Sequence, residues 1–277
     1  TITVSGGVET CSVPALTGDC SLMLTGLGIR TITATYSGDA SFTASVDTEP
    51  HEVVSGSSTT TITADTPDPS VVGQSIQVDF TVASPSGTPT GSVTIGDGVG
   101  GSCAGPLVAG SGSCSFAPAQ AGALTLTASY SGDGQTAASQ GTAAHQVDPA
   151  ATTLFLQGIA PEPSAPGQAA AIAFALTVSA PGSGTPTGTV TIDSAGQSCT
   201  APVADGVCSI AWPTSGQFDV TATYSGDANF AASQTATPIS HGVAGVIEIP
   251  TLDTLGLIGL AAALAAAARK RLMRRAS

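Results

Sequence analysis

Apolar and hydroxyl residues alternate along most of this chain. Ile32, Ala34 and Tyr36 are separated by threonines, Leu124, Leu126, Ala128 and Tyr130 by Thr125, Thr127 and Ser129, and Phe218, Val220, Ala222 and Tyr224 by Asp219, Thr221 and Thr223. The same alternation runs through Ile76, Val78, Phe80 and Val82, and again through Ile172, Phe174, Leu176 and Val178. A period of two puts one face of an extended strand against a core and the other in water. Gly-Thr-Pro-Thr-Gly at 87–91 and 184–188 marks turns between such strands. Short strands punctuated by turns predict antiparallel β-sandwiches, with no helical period before residue 250.

The pattern repeats. Tyr36, Tyr130 and Tyr224 each open a Tyr-Ser-Gly-Asp turn, and they stand 94 residues apart. Cys20, Cys114 and Cys208 keep that spacing, as do Pro69-Ser70-Val71-Val72-Gly73-Gln74 and Pro163-Ser164-Ala165-Pro166-Gly167-Gln168. Three landmarks in register predict tandem domains. The expected division is an incomplete repeat at 1–54, complete repeats at 55–147 and 148–243, a linker at 244–254, and a terminal segment at 255–277. Thr1 aligns with Thr189, inside the third repeat, so the first is expected to lack its N-terminal strands and to expose unpaired edges. The second repeat has Thr136 where Phe42 and Phe230 stand, and its turn is expected to pack less tightly.

Charge narrows the function classes. All 19 acidic residues precede the C-terminal segment, whereas Arg30 is the only Lys or Arg before it. Such a surface repels nucleic acid, which is therefore not an expected partner. Aromatic residues make up 4% of the chain, so the cores are thin. The six cysteines fall as local pairs, Cys11 and Cys20, Cys103 and Cys114, Cys199 and Cys208, one pair per repeat. No pair has a second pair or a histidine nearby in sequence, as a zinc site needs, so disulfides in an oxidising compartment are expected.

His51, His145 and His241 recur once per repeat near the end of the last strand; they read as polar strand-end residues in preference to metal ligands, since on separate domains they share an ion only if the domains fold back on each other. Asp39, Asp133 and Asp227 of the Gly-Asp turns offer one carboxylate each. Calcium there is a weak alternative to ordinary turn chemistry, and no cofactor is otherwise expected. There is no nucleophile elbow, no His-Glu-x-x-His helix and no phosphate-binding Gly-Lys loop, so no catalytic residue is named and an enzyme is not expected.

Taken together, Pro-Ser-x-x-Gly-Gln, Gly-Thr-Pro-Thr-Gly, the paired cysteines and Tyr-x-Gly-Asp-x-x-Phe resemble the group 3 bacterial Ig-like domains, found in strings on large surface proteins. The resemblance covers residues 1 to about 243 and implies immunoglobulin-like β-sandwiches.

From Leu252 the composition turns apolar, and 17 residues lead to Arg269. As a helix this run spans about 25 Å, slightly short of a hydrocarbon core of ~30 Å. One short C-terminal transmembrane helix is expected. Arg269, Lys270, Arg271, Arg274 and Arg275 would stop transfer and hold the C-terminus in the cytoplasm, with the repeats exported. Ile249-Pro250-Thr251-Leu252, followed by Gly256, resembles the IPTL-CTERM sorting signal of Gram-negative bacteria, although Leu255 stands where that family usually has Trp. The resemblance implies an exosortase-type processing enzyme as partner, and an envelope location with at least transient anchoring in the inner membrane. The leading expectation is a structural or adhesive stalk. The alternatives are a module binding a surface glycan or protein ligand, and a spacer for an upstream enzyme. Exposed aromatics would favour the glycan reading, and Trp212 is the only tryptophan.

Overall fold

The computed structural model describes residues 1–16 and 18–245. In the first repeat β1 (Ile2–Ser5), β2 (Thr10–Val13), β3 (Gly28–Tyr36) and β4 (Ser45–Val53) form one antiparallel sheet, ordered β2-β1-β3-β4. It has no partner layer among the described residues. Apolar side chains therefore stay in water, with Ile29 77% and Phe42 68% exposed.

The second repeat comprises β5 (Thr59–Thr66), β6 (Ser70–Val71), β7 (Ile76–Ala83), β8 (Ser92–Gly96), β9 (Ser102–Pro106), β10 (Ser111–Phe116), β11 (Gly122–Tyr130) and β12 (Ser139–Asp148). One layer runs β10-β7-β5 and the other β6-β12-β11-β8-β9. The third repeat comprises β13 (Thr152–Ala160), β14 (Ala169–Val178), β15 (Thr189–Ser194), β16 (Gln197–Pro202), β17 (Val207–Ala211), β18 (Gly216–Tyr224), β19 (Ser233–Gln234) and β20 (Ile239–Val243). Its layers are β13-β14-β17 and β16-β15-β18, with β19 and β20 both pairing with β18. The only helix among the described residues is a single 3-10 turn at Val203–Asp205, ended by Gly206 in the left-handed region.

Alternation sets the cores. Ile76, Val78, Phe80 and Val82 of β7 meet Val93, Ile95, Leu126, Ala128 and Tyr130 of the facing layer, and all are buried. Each large side chain so removed from water stabilises the fold by about 1.5–3 kcal/mol. In the third repeat Ile172, Phe174, Val190, Ile192, Val220 and Tyr224 do the same, and Trp212 closes one end. Three disulfides form: Cys11–Cys20, Cys103–Cys114 and Cys199–Cys208. In the two complete sandwiches they join β9 to β10 and β16 to β17, strands of opposite layers.

β5 and β13 are bulged at the same place, between Ile62 and Ala64 and between Leu156 and Gly158. A bulge bends its strand and re-aims the residues beyond it. Here the re-aimed segment carries Asp65, Asp68 and Ser70 in one repeat, and Glu162 and Ser164 in the other, towards the last strand.

The complete repeats meet through a polar and apolar joint. Ser183 donates its backbone N–H to Val72 O (3.1 Å) and its hydroxyl to Gly73 O (3.0 Å). Ala121 N–H donates to Asn229 Oδ1 (3.0 Å). Val72, Val147 and Ala150 are buried in the same cluster as the third repeat's core.

Candidate functional site

The Tyr-Ser-Gly-Asp turn is the most regular feature of the sequence, and its carboxylate is fully engaged. Gly226, with φ 74°, provides the left-handed bend that places Asp227. Asp227 Oδ1 accepts the N–H groups of Asn229 (2.8 Å) and Phe230 (2.9 Å). Its Oδ2 accepts Thr187 N–H (2.7 Å) and Thr187 Oγ1–H (2.6 Å), which binds the turn to Gly-Thr-Pro-Thr-Gly. Asp133 repeats this with Gln135, Thr136 and Thr90 at 2.8–2.9 Å.

Burial pushes the Asp227 carboxyl up, but hydrogen bonds from the Thr187 hydroxyl and three backbone N–H groups outweigh it and hold it at about 2. Asp133 is held well below the ordinary range, first by the Gln135 N–H and then by Thr90. Burial, and then the Asp227 charge, push Tyr224 up to about 12, while its hydroxyl donates to Thr187 O (2.6 Å). A carboxylate with four donors already on it is poorly placed to coordinate calcium, which favours the turn reading over the metal reading. Thr136 is buried and accepts the Asp133 N–H (3.0 Å), so the second turn closes as tightly as the others. The expectation of a looser loop fails because the carboxylate, not the aromatic, holds the turn.

The histidines are a second constellation, and a more deeply buried one. The His145 and His241 side chains are 0% exposed. His145 Nε2 lies 2.9 Å from Ser70 Oγ, and His241 Nε2 lies 2.9 Å from Ser164 Oγ. His145 Nδ1 bonds Asp65 Oδ2 (2.8 Å) and lies 3.5 Å from Asp68 Oδ1; His241 Nδ1 bonds Glu162 Oε2. The same acids also hold the main chain: Asp68 accepts Gln146 N–H (2.9 Å) and Glu162 accepts Gly242 N–H (2.9 Å). That backbone bond first, and then the His241 contact, lower the Glu162 carboxyl.

Pro-Ser-x-x-Gly-Gln is therefore a clasp. Its serine locks onto the histidine, its glycine takes φ 77° or 76°, and Gln74 or Gln168 folds back to accept the N–H of Val71 or Ala165. Parallel pairing of Ser70 with Val147 and of Ser164 with Val243 fixes the register. Serine, histidine and acid are connected in the order of a hydrolytic triad. Ser70 and Ser164 are each only 1% exposed, however, so a substrate has no approach to either hydroxyl.

The structure places His145 and His241 near the end of the last strand, as expected, and adds that both are buried in the core. The signal is hard to find in the sequence, since serine and acid precede the histidine by 75–80 residues. His51 is exposed on β4, and the corresponding serine and acid positions would fall before Thr1. Trp212 is 1% exposed, stacks on Phe218, lies 4.5 Å from the His241 ring and donates to Ser194 Oγ. It is a core residue and offers no platform to a sugar.

Ile249, Pro250, Thr251, Leu252 and Gly256, and the basic residues Arg269, Lys270, Arg271, Arg274 and Arg275, lie outside the described residues. Among the described residues no helix is long and apolar enough to cross a membrane.

No curated protein matches the sequence. Among solved structures, the fibronectin(III)-like modules of Clostridium thermocellum CbhA are similar at 15% identity and a TM-score of 0.27, over 69% of this chain and 97% of theirs. The Yersinia pseudotuberculosis adhesin InvE is similar at 13% identity and a TM-score of 0.33, over 67% of this chain, which spans 59% of the adhesin structure. The family model for the bacterial Ig-like domain (group 3) matches twice, at residues 60–148 and 158–244. These matches take in more than half of the chain and both histidine clasps, and the protein belongs to the bacterial Ig-like domain (group 3) family.

Proposed function

We propose that this chain is a non-enzymatic stalk displayed from the envelope of a Gram-negative bacterium and sorted through its C-terminal signal. The observation that carries the reading is that the polar motifs shared by the two complete sandwiches hold the fold together. The Gly-Asp carboxylates tie turns together, the histidines tie the first strands to the last, and the cysteines tie layer to layer. The joint then tethers sandwich to sandwich. A chain built this way transmits force and keeps distance, which suits a stalk or spacer. Three disulfides and a bacterial Ig-like family support an extracytoplasmic setting.

In this proposal the run from Leu255 to Ala268 spans the inner membrane, at least transiently. The basic cluster from Arg269 to Arg275 stays in the cytoplasm, and an exosortase-type enzyme acts at Ile249–Leu252. A proline at position 250 disfavours helix in the residue before it, which suits the substrate segment of a processing enzyme. The protein should be made in a host carrying the matching exosortase, and its mature C-terminus read by mass spectrometry. The expected product lacks residues 269–277, and substituting Pro250 and Thr251 leaves a longer, membrane-retained form. Recovery of the intact Arg-rich end from mature surface protein would make the tail a simple anchor.

A further inference from the structure

The two clasps differ in a way that their structural task does not require. In the third repeat a single acid, Glu162, both caps the backbone at Gly242 and reaches His241. Ile159 stands one period after Asp65, so no second carboxylate is needed to hold that clasp. In the second repeat the tasks are divided. Asp68 caps Gln146, Asp65 meets His145, and the two carboxylates converge on the same imidazole nitrogen.

We propose that Asp65, Asp68 and His145 form a binding site for a divalent transition-metal ion of the zinc class. One ligand atom from each of the three lies within 4.8 Å of the others. Ligands bound to a tetrahedral zinc at 2.0–2.1 Å stand about 3.3 Å apart. The distances from His145 Nδ1 to Asp65 (2.8 Å) and to Asp68 (3.5 Å) bracket that value. Ser70 Oγ at Nε2 is the outer partner that orients a metal-bound imidazole and sets its tautomer. When Nε2–H donates to Ser70, the lone pair of Nδ1 faces the carboxylates, an arrangement that a cation between them satisfies. A divalent ion also neutralises two converging acids beside a side chain wholly removed from water. Asp68 is 40% exposed and leaves the entry side open for the ion and for a water as fourth ligand. One imidazole and two carboxylates suit zinc; calcium, which takes oxygen ligands, is disfavoured by the nitrogen.

The test uses the whole chain, stripped with chelator, and Zn2+ alone. Competition against a chromophoric zinc indicator is expected to show uptake of a Zn2+ ion that millimolar Ca2+ does not displace. Asp65→Asn and Asp68→Asn each weaken that uptake at least tenfold, while Glu162→Gln leaves it unchanged. Imidazole 15N shifts read the site in the unmodified protein: Zn2+ moves His145 Nδ1 and leaves His241 in place. Zinc uptake that survives Asp65→Asn, or that moves His51 or His241 but not His145, would overturn the assignment, as would no uptake at all.

Discussion

Asp227 and Asp133 each hold four hydrogen bonds on one carboxylate, and three of the donors in each case are backbone N–H groups. Replacing Asp227 by Ala should destabilise the third repeat by about 2 kcal/mol or more, read from its chemical unfolding midpoint. The folded carboxyl lies at about 2 against an ordinary 3.8, so its contribution is present in full above the ordinary value and is lost as pH falls towards 2. Melting temperature should therefore drop between pH 4 and 2 and drop less in a D133N/D227N variant; equal acid sensitivity in the two proteins would remove these turns as its cause. At this scale the sequence is legible where a motif is local. Tyr-Ser-Gly-Asp and Gly-Thr-Pro-Thr-Gly are visible as turns, though not as partners of each other. The histidine clasps are invisible, because their serines and acids come from the opposite end of each repeat.

Strands are the most legible elements, since a period of two survives even where the apolar residue is only alanine, as at Ala128 and Ala222. Alternation does not reveal how the layers are sealed along their shared edge. There β9 and β10 run from one layer to the other, linked by Cys103–Cys114. A side-chain carbon added at Gly112 would stand 2.4 Å from Pro106 O and 2.6 Å from the Phe80 ring, so only glycine lets these strands close over the core. Gly112→Val should cost about 1–3 kcal/mol by overpacking. Reduction of the disulfide removes about 2.5–3 kcal/mol through the unfolded chain, in the loop-entropy account. The two changes act on different states of the protein. Unfolding midpoints of G112V, of C103A/C114A and of the combined variant should thus be close to additive, and strong coupling would mean that the bridge itself positions β10.

A row of sandwiches becomes a stalk only if its joints resist bending, and here the joint borrows from both neighbours. Val72 is 3% exposed although it belongs to a loop of the second repeat, because it packs into the cluster that continues as the third repeat's core. Around it Ser183 binds two backbone carbonyls of that loop, and Asn229 reaches back from the Asp227 turn to the N–H of Ala121. Gln135, at the position of Asn229 one period earlier, reaches back likewise and donates to Thr25 O (3.2 Å), so the same turn position serves both joints. The turn that closes each sandwich thereby also fastens it to the one before. Placing a carboxylate at Val72 would bury an unpaired charge, a cost that opening the joint relieves by letting in water. A V72D variant should keep both sandwiches folded, as judged by dispersed amide spectra, while small-angle scattering changes from the profile of a stiff, elongated pair to that of an ensemble of bent ones. An unchanged scattering profile would mean that the polar contacts of Ser183 and Asn229 alone set the angle, and S183A/N229A would then be the variant that bends.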